Sequence, residues 1–264
     1  MSREYPAAPD WRNADSYAPL LSAGRASFAW EWLRRDAAYR AAAHGVTRPE
    51  DQTLRQQDAA AAFGLHALED PLVPSWHARP IWRSDRDPFV LQAVAAACKG
   101  SASGDAFDLR TFAGFSTLVY GRSSRQHVVL AEGHRTIRLD VRGASLLGGP
   151  VMLRYRLSGL RWAQAPLLAL RRLLALCRTG QFSTELHRAD ARAARMILVL
   201  RTADAIASGA DQREIASVLL SSEAGAARWR VNAPTLRSQV QRLVRSARLM
   251  SAGGWAALLA ERQG

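Results

Sequence analysis

The sequence is poor in cysteine: Cys98 and Cys177 are the only two in 264 residues, too few for a disulfide framework. It also has no long apolar run. Stretches such as Pro166–Leu170 and Met196–Leu200 are interrupted by arginines well before the roughly 18 residues that a membrane span needs. The opening Met1–Trp11 is polar and proline-rich, without the basic-then-apolar order of a secretory signal. A cytoplasmic chain that does not enter a membrane is therefore expected. Lysine occurs once, at Lys99, ahead of Gly100 and without an upstream glycine cradle, so no P-loop can be drawn. Acidic residues are missing from one long stretch, with none between Ala224 and Ala260.

What the chain has in excess is arginine. Lys and Arg total 36 against 23 Asp and Glu, a net charge of +13. Residues 1–150 hold 18 basic and 16 acidic groups, whereas residues 151–264 hold 18 and 7. A GC-rich coding sequence would explain arginine over lysine, but not the loss of acids from one half. A basic half on a near-neutral half points to a polyanion, nucleic acid ahead of an anionic membrane. With 48% apolar residues the chain can bury a core, and its length suits one large domain or two small ones.

Up to about Gly104 the pattern is mainly helical. Ser27 is placed to cap a helix running to about Ala43, with Phe28, Trp32 and Tyr39 on one face. Asp58–Phe63 reads as a second helix. Glu69–Arg83, with Pro71, Pro74 and Pro80, reads as an extended crossing segment. Asp87-Pro88 could cap a helix through Cys98, although Phe89–Leu91 would also serve as a strand. Gly100–Gly104 is a Ser/Gly linker and the preferred internal boundary. From Ser116 the period falls to two: Ser116–Tyr120, His127–Leu130, Arg135–Val141 and Val151–Leu157 read as strands of an antiparallel meander with one wet face. Three helices follow, over Pro166–Thr179 with Leu167, Leu170, Leu174 and Cys177 on a shared face, from about Asp190 to Ser208, and from Asp211, where Ile215, Val218 and Leu219 face inward. The expected fold class is α+β: a mainly helical region over 1–104, a β-meander hub over 105–157, and a helical, helix-turn-helix-like domain over 158–264.

The last long helix, Thr235 to about Met250, carries the functional signal. At 100° per residue, Leu236, Val240, Leu243, Ala247 and Met250 fall on one stripe, and Arg237, Ser238, Gln241, Arg242, Arg245 and Arg248 fall opposite. Arg228 and Arg230 add charge just upstream. A solvated helix face normally mixes signs through Glu–Arg pairs; this one has no acid. Arginine can pair with guanine, glutamine with adenine, and the remaining arginines with phosphates, so the face suits a DNA major groove. Ala210–Leu220, with Arg213, and Thr235–Met250 stand like the two working helices of a helix-turn-helix supported by Asp190–Ser208, but the fourteen-residue connection Ser221–Pro234 replaces the usual three or four.

The run Leu153-Arg154-Tyr155-Arg156-Leu157-Ser158-Gly159-Leu160-Arg161-Trp162, with Pro166-Leu167-Leu168-Ala169-Leu170-Arg171-Arg172-Leu173-Leu174, resembles the RovC DNA-binding domain family. So do Gln212-Arg213-Glu214-Ile215-Ala216 and Leu236-Arg237-Ser238-Gln239-Val240-Gln241-Arg242-Leu243-Val244-Arg245. Trp11, Tyr17, Ala29-Trp30-Glu31-Trp32-Leu33-Arg34-Arg35 and Tyr39-Arg40 resemble the transcriptional regulator-like domain that accompanies it. The resemblance implies a bacterial transcription regulator, with activation as the expected action. Its departures are Gln241, where a basic residue is expected, and Trp255, where tyrosine is expected.

No catalytic constellation emerges. His44, His66, His77, His127, His134 and His187 show no H-x-x-x-H spacing, and the two cysteines make no C-x-x-C, so packing or surface roles and no metal are expected. Gly143-Ala144-Ser145-Leu146-Leu147 lacks the last glycine of a nucleophile elbow. Asp85 and Asp87 read as a capping cluster, and Cys177 as buried and inert. Double-stranded DNA is the expected partner, with self-association to gain a second half-site and contact with the transcription machinery; no enzyme activity and no cofactor are expected. The rival reading is a non-enzymatic RNA-binding or protein-assembly module using the same basic helix on an acidic partner. A fragment of about 143–264 is expected to keep DNA binding if it folds, and 1–104 to lack it.

Overall fold

A computed structural model describes residues 9–46, 48–98, 104–160, 162–220 and 234–260. The fold is α+β. The N-terminal helices are α1 (Arg25–Leu33), α2 (Ala37–Ala42) and α3 (Leu54–Ala61). The helix expected over 27–43 is two helices, because Asp36 accepts from the Tyr39 amide and starts a new N-terminus. Thr53 and Gln56 form a reciprocal capping box at α3.

Five strands follow: β1 (Val90–Ala97), β2 (Ser116–Tyr120), β3 (Gln126–Glu132), β4 (Arg135–Gly143) and β5 (Val151–Tyr155). Their order in the sheet is β2-β3-β4-β1-β5. The segment after Asp87-Pro88 is thus a strand and not a helix. It inserts parallel to β4 and antiparallel to β5, so the meander is limited to β2, β3 and β4. Gly143 permits the insertion: a Cβ there would lie 2.3 Å from the Ala95 carbonyl oxygen.

One face of the sheet, with Leu91, Val128, Leu139 and Val141, packs on Ala169, Leu173 and Leu176 of α4 (Gln164–Thr179). The other face is not wet in its middle. Residues 65–82 lie over it, so Ala67 and Ile81 cover Val119, Val129 and Ala131, and Arg138 is buried, its Nε donating to Pro80 O at 3.1 Å. On α4 the expected face is reversed: Leu167, Leu174 and Cys177 are exposed, while Arg172 sits on the buried side.

The C-terminal helices are α5 (Ala193–Ala207), α6 (Gln212–Leu219), α7 (Pro234–Ser251) and the short α8 (Ala257–Ala260). They share the largest core with the N-terminal helices. Tyr17, Phe28, Trp30, Leu33, Tyr39 and Trp82 join Ile197, Leu200, Leu243, Ala247, Trp255 and Leu258 in one cluster. Trp30 Nε1 donates to Val73 O at 2.9 Å and Tyr39 Oη to Glu69 O at 2.7 Å. Trp30, Trp32 and Trp82 are all buried. Among the described residues no helix is long and apolar enough to cross a membrane.

Candidate nucleic-acid interface

Helix α7 has two chemically distinct sides. Val240, Leu243, Val244 and Ala247 are buried, as the apolar stripe requires. Val240 and Val244 pack with Ala205, Ile215, Ala216 and Trp11, and Leu243 and Ala247 join the core shared with the N-terminal helices. On the other side Arg237, Ser238, Gln241, Arg242, Arg245 and Arg248 are all exposed. No carboxylate among the described residues lies within ion-pair distance of these four arginines. At Gly253 the chain takes a φ of 97°, the left-handed turn that glycine allows, and α7 ends.

Helix α6 lies against α7 and α5. Asp211 accepts from the Glu214 amide at 2.7 Å, so the cap forms. The Glu214 carboxylate pairs with Arg12 of the N-terminal segment, and the Arg12 guanidinium stacks 4.4 Å over the Trp11 ring. Ile215 is buried as expected, whereas Val218 is exposed. Arg213 is exposed on the first turn of α6. Arg228 and Arg230 lie outside the described residues, as does most of the long α6–α7 connection. The structure thus gathers Arg237, Ser238, Gln241, Arg242, Arg245 and Arg248 on one helix, with Arg213 on its neighbour.

The residues that hold this arrangement in place are ones the sequence reading assigned no role. Arg35 donates from Nε and Nη2 to the two carboxylate oxygens of Asp204 in α5, at 2.8 and 3.0 Å, and from Nη1 to Glu31 Oε2 at 2.6 Å. The Tyr17 hydroxyl donates to Asp204 Oδ2 at 2.7 Å. Arg34 binds Glu31 and the carbonyls of Pro71 and Leu72, and the Ser75 amide donates to Glu31 Oε1 at 2.7 Å. Arg201 of α5 donates to the carbonyls of Trp11 and Arg12. Burial alone would push the Glu31 carboxyl up, but Arg35 and Arg34 hold it below its ordinary value. Burial and the Asp204 carboxylate push the Tyr17 phenol up. A paired, fully hydrogen-bonded network of this kind fixes the angle of α5, and through it α6 and α7. Its signal in the sequence was an acid, Glu31, between two core tryptophans and followed at i+3 and i+4 by arginines.

A second cluster sits on the sheet. His127 and Asp140 are cross-strand partners on β3 and β4, with Nδ1 and Oδ1 2.7 Å apart. The His66 ring stacks on His127 with centroids 3.4 Å apart, and its Nε2 lies 3.5 Å from the same oxygen. Burial pushes His66 down; Asp140, which burial would push up, is held well below the carboxylate range by both histidines. These three residues have ligand atoms close enough to hold an ion among the described residues. The chain supplies them from positions 66, 127 and 140, so no short spacing announces them. Asp85 and Asp87 part company: exposed Asp85 pairs with Arg83, and buried Asp87 accepts from the Phe89 amide and faces Arg138.

Residues 158–260 match a family model described as a T6SS transcription-factor DNA-binding domain. Residues 10–66 match a proteobacterial transcriptional regulator-like domain. No curated protein matches the chain.

Proposed function

Because this chain belongs with the RovC-like transcriptional regulators, and its domains are those of a DNA-binding regulator, we propose that it reads duplex DNA with the exposed face of α7. Arg245 lies opposite the buried stripe, with Ser238 and Gln241 beside it, and meets base edges. Arg237 and Arg248 on the flanks, with Arg242, and Arg213 on α6, meet phosphates; Arg228 and Arg230 extend the same basic tract. Helices α5, α6 and α7 act as a helix-turn-helix variant with α7 as the reading helix. The observation that carries this reading is an acid-free arginine face on a helix whose other face is locked into the core.

In this reading the chain acts as a cytoplasmic activator that works by binding, not by catalysis, and that contacts the transcription machinery. It self-associates to engage two half-sites. The exposed leucines of α4, Leu167 and Leu174, together with Leu160 at 97% and Trp162 at 69% exposure, supply an apolar surface suited to that role. A competition experiment at fixed salt tests the assignment. The full chain should be displaced from labelled duplex by unlabelled duplex in preference to RNA of equal length, and log Kd should rise linearly with log salt, losing about one unit of slope per phosphate-binding arginine removed. Preference for RNA would instead favour the rival reading, a non-enzymatic RNA-binding or protein-assembly module.

A further inference from the structure

A partly open cavity lies between the start of α1, the first half of β4, α4 and α8. None of its wall residues belongs to α7. Two of the wall residues are guanidiniums withdrawn from water, Arg138 at 6% and Arg172 at 8% exposure. Arg138 stands 3.5 Å from the buried carboxylate of Asp87. Arg172 donates from Nε to Leu186 O at 2.8 Å but has no carboxylate of the described residues within ion-pair distance. Burial draws its pKa down to about 10. Arg188 is exposed at the same wall, and Arg25 is paired with Asp190 at 2.7 Å. Arg172 and Arg188 are thus two guanidiniums at this wall with no carboxylate of the described residues within ion-pair distance. Gly24, the N-cap of α1, gives the first turn no side-chain oxygen, and Gly24, Ala26 and Ser27 line the cavity, which places the positive end of that helix at its wall. Ser27 and His134, 3.1 Å apart, add polar atoms.

A buried guanidinium without a counter-charge costs stability in a low-dielectric interior, and an anion removes that cost. We propose that this cavity binds a small dianion, a phosphomonoester or a dicarboxylate, held by Arg138, Arg172 and Arg188 at the N-terminus of α1. Two negative charges match Arg172 and Arg188, the two guanidiniums of the wall without an ion-paired carboxylate among the described residues, and the planar guanidinium fork fits paired oxyanion oxygens. The ligand would bridge α1, within the segment 10–66, to α4 and α8, within the segment 158–260. It is thus placed to couple the two matched domains of a regulator. The binding itself does not depend on α7 reading DNA, and its test uses no DNA.

The probes are inorganic phosphate and succinate, each against chloride at matched ionic strength, with the melting temperature of the full chain as readout. At least one dianion should raise it saturably, with half-saturation below about 1 mM, and the better probe identifies the class. Arg188→Gln, at an exposed position, should weaken the response about tenfold. Arg172→Met should abolish the response and leave the anion-free melting temperature unchanged or higher, because a buried charge that only the more distant Asp87 offsets is gone. An arginine that served only to hold Leu186 would lower that temperature on removal and leave the phosphate response in place, which would overturn the proposal. A flat response to both dianions, or one retained by both variants, would overturn it too.

Discussion

At the scale of single residues, Asp204 and Glu31 contribute most to the joint between N- and C-terminal helices. Asp204 accepts from Arg35 and Tyr17 across 169 and 187 positions of sequence, so its loss strands a buried guanidinium. Asp204→Ala is expected to cost about 3–5 kcal/mol of stability, measured by urea unfolding. Arg12→Ala removes a half-exposed partner of Glu214 and should cost no more than about 1 kcal/mol. Glu31 gives the joint a pH dependence with a definite sign. Its folded pKa lies below the ordinary value of 4.5, so its contribution is complete above that value and is lost as the pH falls through the lower, folded one. The stability gap between the parent and Glu31→Gln should therefore be constant near neutrality and shrink below about pH 4.5. Asp87 and Glu69, whose burial pushes them up, act in the opposite direction in both proteins and cancel in the difference.

At the scale of elements, α4 offers the cleanest contrast, because leucines occupy both of its sides. Leu173→Ala empties a buried site and should cost about 2–5 kcal/mol, whereas Leu174→Ala, one residue on and 53% exposed, should change stability by less than about 0.5 kcal/mol; thermal melts of the pair decide this. The sequence favoured the side of Leu174, since it reads as more apolar than a side containing Arg172. Packing chose the side with small Ala169, which lets α4 approach the sheet. The same distinction between local and long-range causes runs through the fold. Strands β2 to β5 are legible from alternation, and both faces of α7 from its helical period. Strand β1 is not, because Val90–Ala97 is alanine-rich and becomes a strand only by pairing in parallel with β4 some 48 residues away. The covering of the sheet by residues 65–82 and the meeting of His66, His127 and Asp140 are likewise long-range. On the site, the arginine face was legible in residue type and spacing, while the network that aims it was visible only as an acid out of place.

At the scale of the whole molecule, the first and last parts of the chain share a core. Leu243, Ala247, Trp255 and Leu258 pack with Phe28, Trp30 and Leu33, so a fragment covering 158–264 would expose the inner face of the very helix assigned to DNA. That fragment is expected to lack a cooperative melt alone and to gain one when the N-terminal part is supplied; a cooperative melt by itself would mean that the C-terminal helices are self-sufficient. The charge asymmetry that suggested a detachable binding half therefore belongs to parts of the chain that share one core, in which the N-terminal helices pack behind α7. Leu243→Ala provides the control for that arrangement, since it faces inward and should lose about 2–5 kcal/mol without touching DNA. The most direct measurement is a titration of the full chain, Arg245→Ala and Arg237→Ala on target and scrambled duplexes at several salt concentrations, with melting curves alongside. Arg245→Ala should lose about 1–3 kcal/mol on the target alone and flatten the discrimination, while Arg237→Ala should weaken both duplexes alike and lower the salt slope by about one. A folded Arg245→Ala that binds both duplexes as the parent does would contradict the assignment of α7 as the reader.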